Sequence, residues 1–459
     1  VKRRKQGNPV RFDYDANISE PLLDFLIEKL RLTKEDTRIP GSKYHNFKDF
    51  ANFPKVGPSS LRYAPRTPVP VKRLDPAKSV LAAMAKNDIL LHFAYQSFDH
   101  VLAMLREAAI DPNVTSIKIS LYRIARDSGV VSALINAVRN GKEVTAVVEL
   151  QARFDEEANI LLSTKLQEEG VRVIYGVPGL KVHGKLCLIA RKQKRREVLY
   201  ACLGTGNFNE DTSPIYSDHC LLTSDTRLTN EIASVFDFFE NKYRLGDYKH
   251  LLVSPFNARK KFTKLIRTEI RNARKGKESY IIAKLNHLAD PDIIRLLYQA
   301  SSAGVKVRLN VRGMFSLVPG IPGLSENIEA IGIVDRFLEH SRIMVFCNGG
   351  SPKYFLSSTD WMTRNLDGRV EVTFPIYDAS IQEEIRSFLD IQWTDNIKAR
   401  ILDEKLDNRY RETTSPGKIR AQVDIYELLM NLHGGEERKP GELGQLGKIA
   451  QFPRTASSS

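Results

Sequence analysis

The 459-residue sequence is poor in cysteine: it has only Cys187, Cys202, Cys220 and Cys347, and no Cys-x-x-Cys pair. Isolated cysteines do not build the framework of a small secreted disulfide-rich domain, so we expect a reducing, cytoplasmic compartment. His183 and Cys187 could be taken as two zinc ligands, but no second pair follows at metal-binding spacing. We therefore predict that Cys187 is a buried strand residue.

Long apolar runs and a secretory signal pattern are also missing. No run approaches the ~18 residues that a membrane-spanning helix needs, and the N-terminus lacks the pattern of a signal peptide. We therefore expect a cytoplasmic protein without stable membrane insertion, which could still associate with a membrane peripherally. Because residue 1 is Val1 and not Met, we expect a fragment or a processed product.

Acidic residues are too few to balance the basic ones. Asp and Glu total 55 against 69 Lys and Arg, which gives a formal net charge of +14. A surplus of this size favours anionic partners, namely nucleic acids, acidic membranes or phosphate compounds. At about 150 residues per domain, the length predicts two or three domains, each with its own core.

The chain changes character near residue 70. A basic run at residues 2–5, an amphipathic helix pattern at residues 21–30 and a Pro-rich passage come first, and we interpret them as the end of a domain whose beginning is missing. The pattern then becomes α/β, with a strand at 116–122, a helix at 130–139 and a strand at 144–150. This order predicts a parallel strand pair with a right-handed crossover.

The α/β pattern is then repeated, with a strand at 280–285, a helix at 291–300 and a strand at 305–311. Each copy next reaches a histidine beside an apolar strand, His183 or His340, and then a strand that ends in small polar residues. The matching order indicates an internal duplication with a boundary near residues 253–255. After about residue 411, a helix pattern at 419–432 gives way to a Gly-, Pro- and Ser-rich tail that we expect to be mobile.

The two histidines share a pattern. Residues i and i+2 of a strand project from one face, so His183 is predicted beside Lys185, and His340 beside Arg342. A fixed cation holds phosphate oxygens and disfavours imidazolium, which keeps the ring available as a nucleophile. Halves packed around a pseudo-twofold axis would bring both histidines into one cleft. Each could instead be a satisfied core residue, but recurrence at equivalent places favours a function; other histidines, such as His287, lack a paired counterpart.

Several further motifs complete a specific set. They are Asp88–His92, Leu121–Arg123, Glu149–Glu156, Gly204–Glu210, Val311–Met314, Leu338–His340, Asp360–Asn365 and Asn408–Tyr410. Over about residues 1–411, the chain resembles the first family of polyphosphate kinases. The resemblance implies an α/β fold with two duplicated phospholipase D-like domains that face each other, plus a remnant of a helical or α+β head domain. The domains would be residues 1–69 (head), 70–252 and 253–411 (catalytic), and 412–459 (tail).

The resemblance also implies an activity, which is the reversible transfer of the ATP γ-phosphate to inorganic polyphosphate through a phosphohistidine. His183 would become phosphorylated, Lys185 would anchor the transferred group, and His340 would act as acid or base or hold the nucleotide's phosphates. The cofactor would be Mg²⁺. The partners would be ATP, ADP and polyphosphate, with no nucleic acid, and the full-length protein would form a homo-oligomer.

Other residues take roles from the same resemblance. Tyr216 would stack on adenine, and Arg312 would hold the ATP phosphates together with His340. Arg123 and Arg153 match positions that the family associates with magnesium, but a guanidinium cannot ligate a metal, so we interpret both as phosphate clamps. Phosphate contacts are also predicted for Lys284, Arg342, Arg364, Asn207 and Asn209, although a solvated role is an open alternative for the cations.

Two rival functions remain at this point. A phospholipase D-like phosphodiesterase would act on nucleic acid or lipid through the same phosphohistidine chemistry, but its motif places Asp where this chain has Ala190 and Cys347. A non-catalytic basic module would bind nucleic acid by charge alone. That alternative does not explain why His-x-Lys and His-x-Arg recur, and the aromatic residues that would stack on single strands are sparse.

Overall fold

The computed structural model describes residues 11–34, 36–41, 54, 56–74, 78–125, 127–150, 156–412 and 417–434. The chain divides into two compact units, residues 1–65 and residues 66–459. The smaller unit holds a parallel strand pair, β1 (Arg11–Asp15) and β2 (Thr37–Gly41), connected through helix α1 (Glu20–Lys29). Ser19 precedes α1 in extended conformation, and Pro21 lies in its first turn, where the missing N–H costs nothing.

The larger unit contains two α/β halves in succession. The first half consists of α2 (Val80–Met84), β3 (Ile89–Phe93), α3 (Asp99–Ile110), β4 (Val114–Leu121), α4 (Gly129–Arg139), β5 (Glu143–Val148), α5 (Glu156–Glu168), β6 (Arg172–Ile174), β7 (Lys181–Val182), β8 (Lys185–Gln193), β9 (Arg196–Gly204), β10 (Tyr216–Thr223) and α6 (Thr226–Glu240). Local signals set the ends of these elements. Helix α4 begins where the Ser128 hydroxyl accepts from Val130 and Val131 N–H, and it ends before Gly141, whose φ is 77°.

The second half repeats this architecture. It consists of β11 (Leu252–Ser254), α7 (Ala258–Arg274), β12 (Tyr280–Leu285), α8 (Pro291–Ser302), β13 (Lys306–Val311), β14 (Ile328–Ile333), β15 (Leu338–Glu339), β16 (Arg342–Phe346), β17 (Lys353–Ser357), α9 (Thr363–Gly368), β18 (Arg369–Ile376), α10 (Ala379–Thr394) and β19 (Ala399–Ile401). Helix α11 (Ala421–His433) follows and corresponds to the helix predicted at 419–432. Residues 435–459 of the predicted tail lie outside the described residues.

The strand orders of the two sheets confirm the duplication. The order β10-β9-β8-β4-β5-β6 in the first sheet is repeated as β18-β17-β16-β12-β13-β14 in the second. The register repeats as well, because Lys185 lies opposite Gly204 and Arg342 lies opposite Ser357. The predicted fold class, two duplicated α/β domains that face each other, is therefore confirmed. None of the helices in the described segments is long and apolar enough to cross a membrane.

The two halves exchange short strands. Strand β7 of the first half pairs in parallel with β18 of the second, and β15 of the second half pairs in parallel with β10 of the first. One buried apolar cluster contains side chains from both halves, including Leu186, Leu203, Val370 and Val372. The junction between the halves is thus a continuous core with sheet pairing across it, and both exchanged strands lead directly into a histidine.

The prediction that His183 and Lys185 lie on one strand is wrong. Strand β7 ends at Val182 and β8 begins at Lys185, and His340 likewise falls between β15 and β16. The reason is that each histidine's backbone bonds to the opposite half, where the chain leaves one sheet and enters the other. The prediction for Cys187 is confirmed, since it is a buried residue of β8.

Candidate active site

His183 is held by the second half of the molecule. The backbone N–H groups of His183 and Gly184 both donate to the carbonyl oxygen of Val370, each at 2.9 Å. The imidazole Nδ1 lies 2.8 Å from Oε2 of Glu371 in β18. Two side chains hold that carboxylate in turn, the hydroxyl of Ser358 at 2.6 Å and the amide of Asn365 at 2.7 Å.

His340 is held by the first half in the same manner. The N–H groups of His340 and Ser341 donate to the carbonyl oxygen of Ser217 at 3.1 and 2.9 Å. Its Nδ1 lies 2.7 Å from Oδ2 of Asp218 in β10, and the Thr205 hydroxyl donates to the other carboxylate oxygen at 2.6 Å. Gly206 makes room for this carboxylate, because a Cβ there would lie 2.0 Å from Oδ2 of Asp218.

Both imidazoles are neutral at pH 7. Burial lowers the pKa of His183 to about 3 and that of His340 to about 4; in each case the partner carboxylate opposes the shift and the neighbouring cation adds to it. Burial alone would raise the pKa values of Asp218 and Glu371, but the histidines and the other hydrogen bonds lower them, so both stay ionised. An ionised carboxylate accepts the proton of Nδ1, which leaves the lone pair on Nε2 of each ring.

The surroundings of Nε2 distinguish the two histidines. Nη1 of Arg342 lies 3.3 Å from Nε2 of His340, whereas Nε2 of His183 has no hydrogen-bond partner among the described residues. Aromatic rings lie against both imidazoles: Tyr122 at 5.0 Å from His183 and Tyr216 at 5.2 Å from His340, between ring centroids. His183 is therefore the ring whose lone pair is open to a reacting group.

The two cations also differ. Lys185 is 2% exposed, donates to the carbonyl oxygen of His183, and forms no salt bridge within the described segments. Arg342 is paired with Asp360 at 3.2 Å. Lys185 lies opposite Gly204 and Arg342 lies opposite Ser357, so Gly204 and Ser357 are equivalent positions of the two halves. Three residues after them come Asn207 in the first half and Asp360 in the second. The first half thus has an amide where the second has a carboxylate.

Arg342 also connects the halves. Its Nη1 donates to the carbonyl oxygen of His340 at 2.9 Å and to that of Thr205, in the first half, at 3.4 Å. The structure therefore brings both histidines, both histidine-binding carboxylates and two buried cations to a single junction.

Like Arg342, the predicted phosphate ligands Lys284 and Asn209 already have protein partners. Lys284 is buried, and its Nζ lies 3.2 Å from the carbonyl oxygen of Ser341 and 3.1 Å from a Glu339 carboxylate oxygen. Oδ1 of Asn209 accepts from the N–H groups of Asp211 and Thr212 at 2.9 and 3.0 Å. These bonds favour a positioning role, in which Lys284 holds the segment carrying His340 and Asn209 shapes the loop after β9.

The remaining predicted cations lie at the carboxyl ends of strands or beside a cavity. Arg123 follows β4, and Arg312 follows β13, where its Nε donates to the carbonyl oxygen of Glu339. Arg364 lines a cavity of about 610 Å³ together with Lys181 and Arg369. Tyr216 is the first residue of β10 and half-buried. Arg153 lies outside the described residues.

Sequence reasoning missed the carboxylates Asp218 and Glu371. Each is the third residue of its strand, β10 or β18, and these strands occupy equivalent places in the two sheets, so aligning the two copies would have shown an acidic residue at equivalent positions. It also missed Gln422 of α11, whose side chain accepts from Phe337 N–H at 2.8 Å and donates to Phe337 O at 2.9 Å and to Glu339 at 2.7 Å. Through these bonds the helix holds β15, which leads into His340.

A protein-held magnesium site does not fit the residues present. Within the described ranges, no three His, Cys, Asp or Glu side chains are grouped so that they could hold a metal ion. The carboxylates nearest the histidines are already bonded to imidazole or guanidinium groups, as Glu371, Asp218 and Asp360 show.

Comparisons with known proteins identify relatives. Family models described as polyphosphate kinase middle domain, C-terminal domain 1 and C-terminal domain 2 match residues 1–53, 79–245 and 251–422. Polyphosphate kinases of Vibrio vulnificus strain YJ016 and Escherichia coli strain K12 are each 47% identical over 96% and 95% of this chain. The chain spans 63% and 64% of their lengths. The crystal structure of polyphosphate kinase from Porphyromonas gingivalis matches with a TM-score of 0.83 and 38% identity, over 94% of this chain and 66% of that one.

Proposed function

Because the chain belongs to the polyphosphate kinase family, we propose that it transfers the terminal phosphate of ATP to inorganic polyphosphate, reversibly and through a phosphohistidine. One observation carries the chemical part of this proposal. Each imidazole is neutral and fixed through Nδ1 by a carboxylate of the opposite half, and His183 alone of the two keeps an open Nε2. Such a ring is a nucleophile prepared for attack on phosphorus.

In the first step, Nε2 of His183 attacks the γ-phosphorus of ATP. The Nε2–P bond forms as the bond between the γ-phosphorus and the oxygen that bridges the β- and γ-phosphates breaks. ADP leaves with the electron pair of the broken bond. The Nδ1 proton stays in place, and Glu371 stabilises the positive charge that develops on the ring. Burial lowers the pKa of Lys185 and Glu371 opposes the shift, so a bound phosphoryl group would favour its ammonium form, which stabilises the transferred group.

In the second step, a terminal oxygen of polyphosphate attacks the phosphohistidine. A new P–O bond forms, the Nε2–P bond breaks, and His183 returns to its neutral state. Attack by ADP instead would regenerate ATP, so the same intermediate explains reversibility. His340, whose Nε2 lone pair faces Arg342, would accept or return a proton, and Tyr216 beside it would stack on adenine.

The cavity beside the site suits the polymer. Its wall carries three cations, Lys181, Arg364 and Arg369, and one carboxylate, Glu149, and the strand β7 leads from Lys181 directly into His183. This excess of positive charge beside the nucleophile can attract a polyanion. We assign this cavity to inorganic polyphosphate.

The alternative of a phospholipase D-like phosphodiesterase gains no support from the site. Ala190 and Cys347, at the positions where that motif has Asp, are both buried and apolar in character. They cannot replace the missing carboxylates.

Incubation of the protein with ATP and Mg²⁺ tests the proposal. We expect an acid-labile phosphate polymer, its loss in His183→Ala, and its retention in the matched control His100→Ala, a histidine of α3 outside the site. Cleavage of a phosphodiester substrate without polymer synthesis would show that the rival class is correct, and full activity of His183→Ala would refute the mechanism.

A further inference from the structure

His287 occupies the place in the second half that Arg123 occupies in the first. Cys187 and Met344 are equivalent, because each lies two residues after the cation of its half, Lys185 or Arg342. Their partners on the neighbouring strand, Ile119 of β4 and Ala283 of β12, are therefore equivalent as well. Counting four residues onward from Ile119 and Ala283 reaches Arg123 and His287. The histidine that lacks a counterpart in the sequence pattern therefore has one in the fold.

The orientation of the His287 ring is fixed. The Met314 N–H donates to Nδ1 at 2.9 Å, so Nδ1 carries a lone pair and the ring proton is on Nε2. The backbone N–H groups of Asn286 and His287 both donate to Oδ1 of Asp360, at 2.8 and 3.2 Å. The ring packs directly on Gly313, where a Cβ would lie 2.6 Å from its Cε1.

The remaining donor, Nε2–H, points to no protein acceptor in the described part of the chain. The ring is half-buried, and the charged groups that act on it are Asp360 and the three arginines Arg312, Arg342 and Arg364. Burial lowers the pKa of His287, Asp360 opposes the shift and the arginines add to it, so the neutral tautomer persists at pH 7. A fixed donor among three guanidinium groups matches an oxygen-rich anion.

We propose that His287 is a phosphate-binding residue of the second half, donating Nε2–H to a phosphoryl oxygen of the substrate, the role predicted for the equivalent Arg123 in the first half. The inference rests on the proposed function for the identity of the substrate. The phosphoryl oxygen could belong to ATP or to polyphosphate, and separate titrations of the two distinguish these sources.

Two variants separate this role from a merely structural one. In His287→Asn, the side-chain oxygen can still accept from Met314 N–H, but no donor reaches the position of Nε2. In His287→Gln, an amide N–H reaches that position, but Met314 N–H loses its acceptor. We expect the KM for ATP or for polyphosphate to rise about tenfold or more in His287→Asn with an unchanged Tm, and to recover to within about threefold in His287→Gln. His287→Arg, which copies the first half, should also bind well.

The opposite pattern would overturn the inference. If His287→Asn matched the wild type in both titrations, or if His287→Gln failed where His287→Asn succeeded, the ring would serve only to fix residues 313–314. Calorimetric binding of inorganic tripolyphosphate to the same variants, without turnover, keeps this result separate from the proposed function. A wild type that binds tripolyphosphate through His287 but makes no polymer would refute the activity and not the phosphate contact.

Discussion

The two halves of the larger unit share one backbone plan but differ in the groups around their histidines. In the first half, Lys185 forms no salt bridge within the described segments, and the histidine's Nε2 is open. In the second half, Asp360 neutralises Arg342, and Arg342 in turn lies against Nε2 of His340. Duplication alone would give two equal sites, and in the mechanism proposed above these differences divide the work between a nucleophile and an assisting residue.

A second difference lies in how each exchanged strand is held. Glu149 follows β5 in the first half, and Arg312 follows β13, its counterpart, in the second. Glu149 accepts from Val182 N–H of β7 at 2.8 Å, whereas Arg312 donates to the carbonyl oxygen of Glu339 in β15. The second half adds Gln422 from α11 to the same strand. The side chain that holds the exchanged strand is thus an anion in one half and a cation in the other, although both halves exchange a strand. We infer that the strand exchange itself positions the histidines.

The largest expected effect comes from removing the carboxylate behind each histidine. In Glu371→Gln the amide can donate to Nδ1 and move the proton of His183 to Nε2, so we expect phosphorylation by ATP to slow about 10³-fold. Asp218→Asn should slow the same step about tenfold or less, because His340 is not the nucleophile. Rapid-quench phosphorylation measures both rates.

Glu269→Gln is a suitable control for these variants. Burial raises the pKa of Glu269 to about 7, and this buried carboxylate in α7 lies outside the site. Equal losses in Glu371→Gln and Asp218→Asn would contradict the division of roles between the halves.

Asn207→Asp makes the first half resemble the second. The new carboxylate would lie where Asp360 lies beside Arg342, and it would neutralise Lys185 and repel phosphate. We expect the KM for ATP to rise about 10- to 100-fold, the cost of one charge-assisted phosphate contact. Steady-state kinetics check this, with the exposed Asn230→Asp as a control for added charge. An unchanged KM would mean that Lys185 does not contact the transferred group.

Acid should destabilise the protein through the buried histidines. The pKa values of about 3 and about 4 for His183 and His340 lie below the value of about 6.5 for an unfolded histidine. The unfolded chain therefore binds more protons below pH 6.5, and stability present at neutral pH is lost as pH falls toward the folded values. Each histidine contributes up to about 1.4 kcal/mol per pH unit in this window.

Chemical denaturation at pH 7, 6 and 5 measures this dependence. His183→Gln and His340→Gln should each flatten it. A wild-type slope in both variants would mean that these rings are not neutral in the folded protein.

The smallest expected effect on activity comes from Gln422→Leu. The substitution leaves the buried Phe337 N–H and one oxygen of Glu339 without a partner, which costs about 1–3 kcal/mol. Because α11 contacts the second half's exchanged strand, transfer to polyphosphate should slow a fewfold while His183 phosphorylation is unchanged. A Tm measurement and single-turnover kinetics check both parts, and an equal slowing of the first step would contradict the separate support of His340.

Local patterns made much of the fold predictable. The strand predicted at 280–285 has the bounds of β12, because six buried apolar-rich residues stand between clear polar boundaries. The helix α4 follows from its apolar periodicity and its Asn140-Gly141 end. The duplication and both histidines were visible because order and spacing repeat along the chain.

The contacts that position the histidines were not predictable in the same way. His183 and Glu371 are 188 residues apart, and His340 and Asp218 are 122 residues apart, each pair spanning the two halves. The strand breaks at both histidines are set by carbonyl oxygens of the opposite half, Val370 and Ser217. Local periodicity carries no information about partners that meet only after both halves have folded.

Phosphate mapping after brief exposure to ATP tests the central claim most directly. Mass spectrometry of the intact protein and of its peptides, kept at alkaline pH, locates any phosphoramidate. The account predicts one phosphate, on Nε2 of His183 and none on His340, in the wild type and in Asp218→Asn, at a reduced level in Glu371→Gln. A phosphate on His340, or an equal distribution over the two rings, would contradict it.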